Sequence, residues 1–62
     1  MRKVRCVCDY VEDAIKYWTE GHVYNAIKHR NGTWTIYTDY DTKGIVGDGY
    51  LCEFDEYFEE IN

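Results

Sequence analysis

The sequence predicts a single, mainly antiparallel β domain, and three observations lead to this prediction. The chain has 62 residues, enough for one small domain over residues 1–62 and too few for a second core. Stretches rich in β-branched and aromatic residues, 22–27 and 34–38, flank the dipeptide Asn31-Gly32, a combination typical of a β-hairpin. Seven Tyr, two Trp and two Phe supply the large apolar side chains that so small a core requires.

The first element is a strand predicted over residues 2–10. Apolar and charged side chains alternate there, so Val4, Cys6, Cys8 and Tyr10 would share one face. Val7 interrupts the polar face, which is typical of a strand covered on both sides.

Residues 9–21 allow two interpretations. The apolar side chains recur at the spacing of one helical face, namely Val11, Ala14, Ile15 and Trp18. Asp9 is suited to begin a short helix and Gly21 to end it. The other interpretation is a long irregular loop between strands, held by Ile15 and Trp18.

The clearest prediction is a hairpin with strands over 21–30 and 33–40. Asn31-Gly32 between them favours a type I′ turn, because both central residues of that turn need positive φ angles. A second turn over 39–44 then leads into another strand.

That next strand is predicted to begin at Ile45. Glycines within 47–49 predict a bulge or kink, after which the strand resumes over 50–52. The apolar spacing then changes to three and four, which predicts a single helical turn near 55–57 and a closing strand over 58–61.

Five short strands, a long first connection, tight later hairpins and a turn before the last strand follow the order of an SH3-like five-stranded antiparallel barrel. Closure of the sheet would protect edges that so short a chain has no other means to cover. The alternative is an α+β fold, in which a helix over 11–18 packs on an antiparallel sheet.

Three segments carry a resemblance to a known family. They are Gly21-His22-Val23-Tyr24, then Gly32-Thr33-Trp34-Thr35-Ile36 followed by Asp39, Asp41 and Gly44, and finally Phe54-Asp55-Glu56-Tyr57-Phe58-Glu59-Glu60-Ile61. Over residues 20–62 this pattern resembles small acidic SH3-like barrel proteins of tailed bacteriophages. The resemblance implies a non-enzymatic accessory protein that binds a host or phage component, and it implies no catalytic residues.

The C-terminal stretch predicts a binding surface. Residues 52–62 contain five carboxylates, three aromatic residues and no basic residue. Apolar side chains would anchor the stretch while the carboxylates face water or a basic partner, since unpaired carboxylates are rarely buried. The candidate partner-binding residues are Tyr50, Glu53, Asp55, Glu56, Tyr57, Glu59 and Glu60.

Such a surface suits the basic groove of a nucleic-acid-handling host or defence protein, such as a nuclease. The chain would then inhibit or modulate that protein in the manner of a DNA mimic or an anti-CRISPR protein, since opposite fields speed association. The alternative interpretation of the same carboxylates is that they only keep the chain soluble.

A nucleic-acid-binding barrel is the second functional class. Lys28 and Arg30, with Trp34 and Tyr37, would offer cations to phosphates and rings to bases. The net charge of −5 disfavours direct nucleic-acid binding, because the overall field repels a polyanion. These cations and those of the first strand would otherwise pair with the acidic stretch within the fold.

Catalytic and metal chemistry have weak support in the sequence. Cys6, Cys8 and Cys52 are odd in number and include no CxxC pair, which predicts reduced thiols. His22 and His29 stand alone, and the run Asp39-x-Asp41-x-Lys43 has a lysine where a calcium loop needs a ligand. We therefore expect no enzyme activity, no metal and no cofactor.

Location and assembly are predicted only coarsely. Met1-Arg2-Lys3 is followed by alternating residues and no segment reaches transmembrane length, so we expect a cytoplasmic protein without membrane contact, in the host cytoplasm if phage-encoded. The sequence is compatible with a homodimer and leaves the oligomeric state open.

Overall fold

The computed structural model describes residues 1–61, and strands dominate its regular structure. The elements are β1 Arg2–Cys6, β2 Tyr10–Glu12, β3 Ile15–Trp18, β4 Val23–Lys28, β5 Trp34–Tyr37, β6 Lys43–Val46, α1 Phe54–Tyr57 and β7 Phe58–Ile61. No described helix is long and apolar enough to cross a membrane.

Five strands form one antiparallel sheet in the order β6-β5-β4-β1-β7, and β2 pairs with β3 in a separate two-stranded sheet. The β2–β3 hairpin occupies the long connection between β1 and β4, and the one-turn helix α1 precedes the closing strand. This is the strand order of an SH3-like barrel, so the predicted fold class is confirmed.

The α+β alternative, with a helix over 11–18, is wrong. Within that stretch Val11 and Ile15 are exposed, and Trp18 is the buried residue that attaches the β2–β3 hairpin to the rest of the molecule. The apparent helical spacing has two causes. The β2–β3 pairing shifts register between Tyr10 and Val11, and a tight turn joins the two strands, so the buried side chains do not occupy every second position.

The first strand is shorter than predicted. β1 ends at Cys6, whose N–H donates to the carbonyl of His22 at 2.9 Å, and the N–H of Val7 then donates to the carbonyl of Tyr57 at 2.8 Å. The chain bends at this point, so Cys8 is exposed and does not share the buried face of Cys6.

The β4–β5 hairpin is confirmed, but its predicted type I′ turn is wrong. The N–H of His29 donates to Thr33 at 2.8 Å and that of Gly32 donates to His29 at 3.1 Å, which encloses a three-residue loop. Of Asn31 and Gly32, only Gly32 has a positive φ, of 90°. The two consecutive positive φ values of a type I′ turn occur instead at Asp13 (53°) and Ala14 (66°), between β2 and β3.

The predicted strand over 50–52 is also wrong, since residues 47–53 form a loop. The N–H of Gly47 donates across this loop to the carbonyl of Cys52 at 2.7 Å, and that of Tyr50 donates to Gly47 at 3.0 Å. The helical turn and closing strand predicted after it are confirmed as α1 and β7.

The core lies between the curved main sheet and the β2–β3 hairpin. Its buried apolar residues are Val4, Cys6, Tyr10, Trp18, Tyr24, Ala26, Trp34, Ile36, Val46 and Phe58. Trp18 is fully buried; its ring packs edge-on against Phe58 at 5.1 Å, and its Nε1–H donates to the carbonyl of Tyr37 at 2.9 Å.

Candidate binding surface

A stacked aromatic pair forms the floor of a groove at one end of the sheet. Trp34 begins β5 and Phe54 begins α1, and their rings are nearly parallel, with centroids 4.3 Å apart and an interplanar angle of 9°. Trp34 is buried and Phe54 is half-buried, so the pair joins the core to the surface. It also fixes α1, which has only four residues, against the sheet.

The groove has a volume of about 510 Å³ and a mainly acidic rim. Its charged lining residues are Asp48, Glu53, Asp55, Glu60 and Lys28. Three of the predicted partner-binding residues, Glu53, Asp55 and Glu60, thus lie at one groove, together with Lys28 and Trp34 of the nucleic-acid alternative.

Internal cations neutralise only part of this rim. Arg2 contacts Glu60 at 2.6 Å, and the Arg2 guanidinium lies 6.0 Å from the Trp34 ring. Lys28 Nζ lies 5.7 Å from the same ring. Within residues 1–61, Asp48, Glu53 and Asp55 form no ion pair, so the open side of the groove remains negative.

The remaining predicted residues lie outside the groove. Glu59 is opposite Arg5 in the β1–β7 ladder and pairs with it at 3.0 Å. Tyr57 is half-buried and packs edge-on against Tyr10 at 5.3 Å. Glu56 is exposed on α1, and Tyr50 is 56% exposed in the adjoining loop.

Asp48 is a groove residue that the sequence reasoning does not single out. It lies between Gly47 and Gly49, and this spacing predicts only a bulge or kink. The hydrogen bond from Gly47 to Cys52 closes the 47–53 loop and brings Asp48 to the groove. A carboxylate between two glycines just before an acidic stretch is the signal that could have identified it.

The rings of the nucleic-acid alternative are largely covered. Trp34 is 4% exposed and lies under Phe54, while Tyr37 is half-buried with Lys43 Nζ 5.8 Å from its ring. Arg30 lies in the turn after β4, whereas Lys28 lies at the groove. The four residues do not form one face with free stacking surfaces.

A second polar cluster centres on Asp39, in the turn after β5. Its carboxylate accepts hydrogen bonds from the Tyr24 hydroxyl at 2.7 Å and from the Thr19 hydroxyl at 2.8 Å. His22 Nδ1 lies 3.9 Å away. Burial and the bond to Asp39 raise the pKa of Tyr24 to about 12. These contacts connect the β3–β4 link to the β5–β6 turn, which is a structural role.

The three thiols differ in environment, and all are free. Cys8 is exposed, Cys6 is buried and Cys52 is half-buried. Burial raises the pKa of the Cys6 thiol, and it raises the pKa of Cys52 to about 11. A raised pKa keeps a thiol protonated at neutral pH, so Cys6 and Cys52 are poor nucleophiles there.

Within the part of the chain that the structure describes, no three His, Cys, Asp or Glu side chains are arranged to hold a metal ion. The fold and the groove define a small SH3-like barrel with an acid-rimmed aromatic groove. Comparison of the chain with protein-family models, curated proteins and solved structures gives no match.

Proposed function

We propose that this chain is a small phage-type accessory binding protein. Its acidic surface binds a basic surface on a host or defence protein that handles nucleic acid, and it inhibits or modulates that protein. The observation that carries the proposal is the set of carboxylates around the Trp34–Phe54 groove that have no cationic partner within residues 1–61, namely Asp48, Glu53 and Asp55.

Position and rigidity support this proposal. The carboxylates are held by a closed loop and by a helical turn that is stacked on the sheet, so little order has to be gained on binding. Tyr50 extends from the same loop with 56% of its surface exposed and supplies an aromatic contact beside the charges.

Size is compatible with this role. A standard interface covers roughly 800 Å² on each partner. That is about one fifth of the 4201 Å² accessible surface of this chain, so a single side of the molecule is large enough for such an interface.

The experiment first captures a partner from bacterial lysate and identifies it by mass spectrometry. Binding of the purified partner is then compared for the parent, for Glu53→Gln/Glu56→Gln and for the control Glu20→Gln/Asp41→Asn. Both double variants remove two negative charges, but the control changes exposed residues in turns that do not line the groove. Asn tolerates the positive φ of 61° at Asp41.

We expect the Glu53/Glu56 variant to bind roughly 5- to 30-fold more weakly at low salt, mainly through a slower on-rate, and the control to bind as the parent does. Equal weakening in both variants would mean that only net charge matters. Unchanged binding in both would mean that the carboxylates serve solubility alone.

A further inference from the structure

Carboxylates are absent from four of the five strands of the main sheet, and the fifth strand, β7, carries Glu59 and Glu60. The four adjacent strands β1, β4, β5 and β6 contain five of the seven Lys and Arg residues and none of the twelve carboxylates. These cations are Arg2, Lys3, Arg5, Lys28 and Lys43. Arg2 and Lys28 lie beside the Trp34 ring at the groove, and Arg5 pairs with Glu59. Within residues 1–61, the cations of these strands that form no ion pair on the outer face are therefore Lys3 and Lys43.

The outer face of these strands also carries an apolar row. Ile27 is paired with Thr35, and Thr35 with Ile45, so three outward side chains lie side by side across β4, β5 and β6. Ile27 and Ile45 are 40% and 41% exposed. At the usual spacing between strands the row is about 10 Å long.

A basic row lies next to the apolar one. Lys3 is paired with Asn25 and Tyr37 with Lys43, and Lys3 donates to the Asn25 side chain at 3.0 Å. The surface that fits this face has an apolar centre and an acidic edge.

This chain carries such a surface itself. In the loop before α1, Tyr50 and Leu51 are 56% and 41% exposed, and the exposed carboxylates Asp48, Glu53 and Glu56 lie close to them in the sequence. The charges and the apolar areas of the 48–56 segment thus complement those of the sheet face, which the segment borders at β6, where the N–H of Leu51 donates to the carbonyl of Ile45 at 3.3 Å.

We infer that the outer face of β1, β4, β5 and β6 is a docking surface for a second copy of this chain, which contacts it through the 48–56 segment. The contact is head-to-tail, since packing the sheet face against itself would oppose Lys3 and Lys43 with like charges. Each added copy leaves one free face and one free segment, so assembly grows with concentration.

This inference goes beyond the proposed function, and it has a consequence for it. The docked copy covers Glu53 and Glu56, so self-association competes with binding of a basic partner. Nucleic acid is the less suitable occupant of the sheet face, because Trp34 is buried, Tyr37 is half-buried and the isoleucines need an apolar partner.

The test is sedimentation velocity of the full chain from micromolar to millimolar concentration at low and high salt. The face variant is Ile45→Asp, and the segment variant is Tyr50→Ser/Glu53→Gln. We expect the parent to associate at low salt and each variant alone to associate roughly tenfold or more weakly. An equal mixture of the two variants regains association but stops at a heterodimer, since each supplies the surface that the other lacks.

Several outcomes would overturn the inference. The parent could stay monomeric throughout, or the segment variant could associate as the parent does, which would indicate packing of face against face. If Ile45→Asp fails to fold, judged by circular dichroism, Ile27→Thr replaces it, because a β-branched residue at an exposed strand position preserves the sheet. The last measurement is binding of a labelled oligothymidylate. If the parent binds it tightly and Lys43→Gln does not, the sheet face is a nucleic-acid-binding surface instead.

Discussion

Among residues 1–61, three residues other than glycine have a positive φ angle, and two of them occupy turn positions where other residue types are preferred. The β2–β3 turn places Asp13 and Ala14 at φ values of 53° and 66°, whereas asparagine and glycine are the preferred residues there. The preferred pair, Asn31-Gly32, lies in a longer turn that requires a positive φ only at Gly32. The dipeptide therefore predicts the hairpin correctly and its turn type wrongly.

Replacing Ala14 with glycine should stabilise the fold. Relief of the left-handed strain is worth about 1–2 kcal/mol. The added freedom of the unfolded chain costs about 0.4–1 kcal/mol, so we expect a net gain in the free energy of unfolding of roughly 0.5–1 kcal/mol. Urea denaturation of the parent and of Ala14→Gly measures this gain.

Gly32→Ala is the matched control for that prediction. Gly32 has a φ of 90°, and no described atom lies within 4 Å of the position that an added Cβ would take, so only backbone strain changes there. We expect a loss of similar size. A loss of stability in Ala14→Gly would contradict the type I′ assignment.

At the scale of elements, the β2–β3 hairpin makes one especially close contact with the sheet, at Gly44. A Cβ added at Gly44 in β6 would lie 2.6 Å from Cη2 of Trp18, and Trp18 is fully buried and has no room to move away. Glycine is required there for close approach, since its φ is not in the positive region.

Gly44→Ala should therefore destabilise the protein by about 1–3 kcal/mol, the usual cost of overpacking. In a Trp18→Phe background the same substitution should cost much less, because the smaller ring leaves space for the added methyl group. A double-mutant cycle by urea denaturation gives this coupling. Equal costs in the two backgrounds would show that the strain has another source.

The same contact shows what sequence reasoning could and could not supply. Local composition and spacing determine the β4–β5 hairpin and the succession of α1 and β7. The sequence therefore predicts both. The contact between Trp18 and Gly44 joins residues that are far apart in the sequence. The residues around Trp18 do not distinguish this contact from burial of Trp18 on one face of a helix. The groove likewise joins Lys28 and Trp34 to the acidic stretch only through the tertiary fold.

At the scale of the whole molecule, one core serves both sheets. The radius of gyration is 10.4 Å, close to the roughly 10.5 Å expected of a compact chain of this length. Burial of Cys52, Tyr10 and Tyr24 raises the pKa of each of these acids, so the core favours their protonated forms.

Stability should consequently fall at alkaline pH. Folding raises the pKa of the Cys52 thiol from 9.0 to about 11, so the unfolded chain loses this thiol proton at a lower pH than the folded chain does. The contribution of Cys52 to the free energy of unfolding therefore declines as the pH rises from 9.0 to about 11. Cys52→Ala should flatten the decline measured by urea denaturation under reducing conditions. Cys8→Ala removes an exposed thiol and should leave the decline unchanged. Equal flattening in both variants would contradict a role for burial.

The placement of charge also gives the molecule two electrostatically unlike surfaces. The outer face of β1, β4, β5 and β6 carries Lys3 and Lys43, whereas the groove and the 48–56 segment are mainly acidic. An ion-exchange matrix responds to the side that faces it and not to net charge alone. With its net charge of −5, this protein should bind an anion exchanger through its groove, with the outer face of the sheet turned away from the matrix.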